Sequence, residues 1–218
     1  VEVQSTSQNQ IVLQFTQNFG AYNAFWERRR HDILDQGPAG IPDADAGPIS
    51  DGIRLYTRST PSAPQNIIYS KGAYVLHMLR MLMRDAASSN PDEKFMAVMH
   101  EFALTFSGKA PSSDDFRRVV EIHTNAAMQA GTEDMSYFCR QWVYGTEVPR
   151  LKSDLAAEKQ ADGKFRIHGT VTQSNVSDGF RTAVPLYVDF GKDNFARLGS
   201  IVLVGNEVKP LDVTVNLS

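Results

Sequence analysis

A single cysteine, Cys139, is all the sequence holds, so no disulfide can close within the chain. No histidine stands beside it to turn the thiol into a nucleophile, and it reads as a small core hydrophobe. No run of 18 apolar residues occurs, which excludes an obvious membrane-spanning helix. No signal peptide opens the chain, which begins VEVQSTSQNQ without Met, and further sequence is expected upstream. Neither sign of charge prevails: a net charge of −3 and a pI near 6.0 give no general pull toward nucleic acid or an anionic membrane surface. The one basic cluster, ERRRH at 27–31, reads as the solvated face of a helix. There is no internal repeat, no low-complexity tract and no phosphate-binding loop of the G-x-x-x-x-G-K type.

Metal ligands are also scarce. The five histidines are His31, His77, His100, His123 and His168, and no two are spaced to grip one ion. His100-Glu101 opens like the zinc-protease pattern H-E-x-x-H, but the fifth position is Leu104, which cannot ligate. The same stretch carries Phe95, Val98, Met99, Phe102 and Phe106 at helical spacing, an apolar stripe that His100 and Glu101 merely flank. No metal or other cofactor site is therefore expected in this chain.

What is present is ample apolar material, 42% hydrophobic and 10% aromatic residues in 218, enough for one large or two small cores. The period of that material changes once, near Pro149. Before it, 10–34 carries Ile11, Phe15, Phe19, Tyr22, Phe25 and Trp26 three and four apart, with Gly20 as a break. GPAGIPDADAGPISDG at 37–52 and STPSAPQN at 59–66 read as loops. Residues 68–84 predict a helix apolar on nearly every side and thus buried, with His77 as a core histidine. Asn90, Pro91 and Glu93 predict a capped helix start, and Ser112 or Ser113 another that stops near Gly131. A short last helix holds Tyr137, Phe138 and Trp142, ended by Gly145 and Pro149.

After Pro149 the period is two. KFRIHGTVT at 164–172 puts Phe165, Ile167, Gly169 and Val171 on one face and Lys164, Arg166, His168 and Thr170 on the other, with His168 toward solvent. AVPLYVDF, LGSIVLVG and LDVTVNL follow, and Asp162-Gly163 supplies a hairpin turn. The expectation is an α+β chain: an all-helical bundle over 1–148, then a small antiparallel β-sandwich over 150–218. Two glycosylation-type triplets, Asn175-Val176-Ser177 and Asn216-Leu217-Ser218, carry meaning only in a secreted eukaryotic setting.

IYSKGAYVLHMLR at 68–80 resembles the Tyr-x-Lys-Gly-Ala segment of the gluzincin zinc aminopeptidases related to aminopeptidase N. SSDDFRRVVE at 112–121 and MSYFCRQWVYGTEVP at 135–149 resemble the helical domain of that family in order and spacing, and a β-sandwich follows there too. The likeness covers about 65–218, strongest at 69–80 and 135–149. H-E-x-x-H, its distant Glu and the G-x-M-E-N type segment are all missing, so only the back half of the family is matched. The resemblance implies a fragment of a zinc-dependent aminopeptidase, with zinc and its ligands upstream in the same parent protein and a peptide as its substrate. It implies that Tyr69 is the catalytic tyrosine whose hydroxyl stabilises the tetrahedral intermediate, and that the isolated chain is inactive. From its own surroundings Tyr69 reads rather as a core tyrosine with an ordinary hydrogen bond, and the resemblance reverses that preference. Lys71 reads as a surface or capping charge and Gly72 as a close helix contact. The alternative function is a non-catalytic helical scaffold or a module that binds peptides or proteins.

Overall fold

The computed structural model describes residues 4–5, 19–85, 88–125, 128–189 and 195–216. The chain is α+β and divides into two compact units. One is Asn23–Thr146; the other holds Glu147–Ser218 and, from the N-terminal side, strand β1 (Gln4–Ser5).

The first unit is helical. Of the one long or two short helices expected over 10–34, α1 is observed at Phe19–Leu34, running through Gly20, and 10–18 lie outside the described residues. The stretch 37–52, expected as loop, instead winds into two 3₁₀ segments, Asp43–Ala46 and Ile49–Leu55. Gly52, at φ 58, kinks the second, a left-handed turn that glycine takes without a Cβ clash. These turns form because Pro42 and Pro48 each hold an extended backbone just before a helical turn begins. The helix expected from residue 68 starts earlier, as a π-helical segment Pro64–Lys71 that runs without a break into α2, Gly72–Met83.

Nor is that helix covered on every side. Val75, Leu79, Met81 and Met83 are buried, whereas Leu76 and Tyr69 face outward. Each fully buried Leu or Met here contributes about 1.5–3 kcal/mol. In α3, Glu93–Thr105, the predicted stripe is the packed face: Val98 is fully buried and Phe102 meets Phe116 edge-on at 5.1 Å. Its start differs from expectation. The Asn90 backbone carbonyl, rather than its side chain, accepts the Glu93 N–H, and Asp92 occupies the cap position without capping, because Arg80 and Arg84 take its carboxylate. α4, Ser113–His123, begins with the Ser112 side chain accepting from Asp115 N while Asp115 accepts from Ser112 N, a reciprocal capping box. It stops at His123, where Thr124 turns extended, well short of Gly131. α5, Ser136–Trp142, buries Tyr137, Phe138, Cys139 and Trp142.

In the second unit β2 (Arg150–Lys159), β3 (Phe165–Ser174) and β6 (Glu207–Val215) pair antiparallel, with β3 central, and β4 (Arg181–Asp189) pairs antiparallel with β5 (Phe195–Val204). β1 joins β2 in parallel, a pairing that helical periodicity near the N-terminus did not suggest. The sheets share one core of Leu151, Leu155, Val171, Val184, Leu186, Ile201 and Leu203. Ile167 and Val171 are fully buried, as the alternation of β3 requires, while His168 is only part-exposed and lies 3.3 Å from Glu158. Gly169 is fixed by contact: a Cβ there would stand 2.0 Å from the Asp154 carbonyl oxygen. Asn175 of the first glycosylation-type triplet donates its side-chain amide to Val148 O at 3.2 Å.

Candidate functional site

Tyr69 lies in the third quarter of the π-helical segment, and the residue is 63% exposed. A buried core tyrosine is thereby ruled out. No hydrogen bond among the described residues involves its hydroxyl. Its neighbours behave in the opposite way: Ser70 and Lys71 are 1% and 4% exposed, and Ile67 is sealed completely. An exposed phenol thus stands on a segment gripped from behind. π-helical turns of this kind are uncommon and concentrate at functional sites.

Several elements supply the grip. From α1, Arg29 Nη1 donates to Ser70 Oγ at 3.2 Å, and Ser70 Oγ donates to Asp32 Oδ2 at 3.3 Å. Arg29 and Asp32 are themselves paired at 3.1 Å. From the first 3₁₀ segment, the buried carboxylate of Asp43 accepts from Asn66 Nδ2 at 2.8 Å. The second 3₁₀ segment packs on the same stretch, closed by Thr60 Oγ1 donating to Leu55 O at 3.2 Å. From beyond the end of α5, Gly145 O accepts from Lys71 Nζ at 3.0 Å.

That last contact overturns the surface reading of Lys71. The side chain is interior, and burial pushes its pKa down to about 8. Gly72 is also not a close contact, since a Cβ added there would meet nothing within 4 Å. The glycine that geometry requires is Gly145, where a Cβ would lie 2.7 Å from Gln141 O and 2.9 Å from Arg140 O.

The basic run at 27–31 is not a free cationic face either. Glu27 pairs with Arg30 and lies 3.1 Å from His31, whose other nitrogen is 2.9 Å from Asp35. The Arg30 hydrogen bond holds the Glu27 carboxyl below its usual range. Arg29 and Asp32 brace the Tyr69 segment, and no local sequence pattern marks them for that role. Their i,i+3 spacing was visible, but their shared target, Ser70, lies 41 and 38 positions away.

His77, on α2, stacks on Trp26 at 4.2 Å and 18°, and burial, with Arg80 second, pushes its pKa down to about 4. His100 is exposed on α3, and Glu101 Oε2 sits 2.7 Å from His123 Nε2. The zinc implied for a parent protein finds no ligand set here: among the described residues no three His, Cys, Asp or Glu side chains converge on one point. Cys139 is buried, and desolvation pushes its thiol up to about 11.

No family model matches the chain, and no curated protein matches its sequence.

Proposed function

We infer that the chain is the back half of a zinc-dependent aminopeptidase, a hydrolase of peptide bonds near the substrate N-terminus. In this reading the helical unit is a bundle, and the strand unit, which β1 joins from the N-terminal side, is a β-sandwich. The upstream part of the same protein holds the zinc, and this chain supplies Tyr69 and cleft walls. The observation that carries the reading is the exposed Tyr69 ring on a segment whose adjoining residues are buried and tied to α1, Asp43 and Gly145.

The chemistry suits that placement. A tetrahedral intermediate concentrates negative charge on one oxygen, and a phenol held on a rigid element can donate to it without reorganising. Such a donor acts mainly in the transition state, so it accelerates the step without tightening substrate binding. The Tyr-x-Lys-Gly-Ala resemblance at 69–73 supports the same assignment.

A second reading, a module that binds peptides or proteins without cleaving them, draws on Ile53 and Tyr56, which stand 80% and 62% exposed at the end of the second 3₁₀ segment. Incubating the complete protein, loaded with zinc, with aminoacyl amides separates the two. Release of the N-terminal residue supports the peptidase, and saturable binding without release supports the module. The 218-residue chain alone is expected to release nothing.

A further inference from the structure

Lys71 follows Tyr69 by two positions, and two positions along either an α- or a π-helix carry a side chain to roughly the opposite side. The exposures agree: 63% for Tyr69 and 4% for Lys71. A lysine interior is costly, because the ammonium loses its hydration, and the depressed pKa records that cost. A residue required only to fill this space would be apolar. What the ammonium adds is direction, a 3.0 Å hydrogen bond to a backbone carbonyl 74 residues away, just past the end of α5.

We propose that Lys71 is a positioning residue for Tyr69: its hold on Gly145 O fixes the rotation of the π-helical segment, and so the direction in which the phenol leaves it. This rests on the reading of Tyr69 as the oxyanion donor. The other ties act earlier in the segment or on its flank: Asn66 to Asp43, and Ser70 to Arg29 and Asp32. Lys71 clamps the face behind the phenol, at the junction where the π-helical segment becomes α2. Gly145 belongs to the same device. Only a residue without a Cβ fits against the Arg140 and Gln141 carbonyls and still presents its own to Lys71.

Replacing a buried ammonium that has no counter-charge by an apolar side chain of similar length removes its desolvation cost, which offsets the hydrogen bond lost at Gly145 O. Lys71→Met therefore separates positioning from stability. In the complete zinc-loaded protein it is expected to lower kcat by about 10²-fold, with KM and thermal midpoint unchanged, because a misplacement of about 1 Å costs that much. In a Tyr69→Phe background it is expected to lower kcat no further. Equal losses in both backgrounds, or no loss where Tyr69→Phe alone causes one, overturn the positioning role and leave Tyr69 as donor. An unchanged kcat in Tyr69→Phe overturns the donor reading itself, and the positioning role with it.

In the 218-residue chain, fluorotyrosine at position 69 is expected to give one narrow fluorine resonance that broadens or splits in Lys71→Met; an unaltered line contradicts the proposal. Should Lys71→Met not fold, an ester in place of the Gly145–Thr146 amide weakens the Gly145 carbonyl as acceptor while leaving every side chain in place. The same loss of kcat is then expected, and an undiminished kcat overturns the proposal.

Discussion

Trp26 of α1 and His77 of α2 stack with ring centroids 4.2 Å apart and planes 18° from parallel. The Tyr74 hydroxyl reinforces the contact by donating to Trp26 O at 2.5 Å. The pairing half-buries the imidazole and favours its neutral form.

His77 has its pKa pushed down to about 4 from the ordinary value near 6.5. Between those values the unfolded chain binds a proton that the folded chain does not, so stability falls as pH drops from about 6.5 toward 4. Above 6.5 neither state is protonated and the effect vanishes. Urea midpoints across this range should slope downward with acid, and His77→Phe should flatten the slope. Equal slopes in both proteins would locate the acid sensitivity elsewhere.

Gly169 faces Leu155 across the β2–β3 pair, with the Asp154 carbonyl where a Cβ would go. Its φ of 139° adds strain for any other residue. Gly169→Ala should destabilise the strand unit by more than about 2 kcal/mol, since the obstacle is backbone and cannot rotate away. Gly163→Ala, where the Cβ would meet nothing within 4 Å, is the matched control for a positive φ in a turn. Comparable losses in the two variants would show that φ rather than the close strand approach governs Gly169.

Cys139 lies in the apolar surroundings of Val75, Phe116, Val120 and Phe138, and its thiol is pushed up to about 11. Thiolate is the reacting form, so a disulfide reagent at pH 8 should label the folded chain slowly and the urea-unfolded chain at the rate of a free thiol. Fast labelling of the folded chain would mean that the α5 core opens readily.

Much of this fold was legible because local and long-range demands coincide. The α3 stripe, the Ser112 cap and the alternation of β3 each follow from a few adjacent residues. β2 escaped notice because Ser153 is buried between Leu151 and Leu155, which breaks the apolar alternation that marks a strand. The 3₁₀ segments escaped because Gly, Pro and Asp signal turns, whereas what orders them is remote: the buried Asp43 carboxylate meets Asn66, 23 positions on. Of the candidate site, Tyr69 was legible only through resemblance. The π-helical phase that turns it outward is hidden in a stretch whose apolar spacing fits an ordinary helix. Lys71 was misplaced because hydropathy sends lysine to solvent, and no local signal marks its acceptor 74 residues away.

Removing one oxygen atom from Tyr69 tests the peptidase reading most directly. On that reading, Tyr69→Phe in the complete zinc-loaded protein deletes a donor used chiefly in the transition state, on a side chain exposed enough that its packing is little altered. Steady-state hydrolysis of an aminoacyl amide should show kcat reduced by about 10² to 10³ with KM nearly unchanged. A rise in KM at constant kcat, or no change in either, would contradict the assignment of Tyr69 as the oxyanion donor.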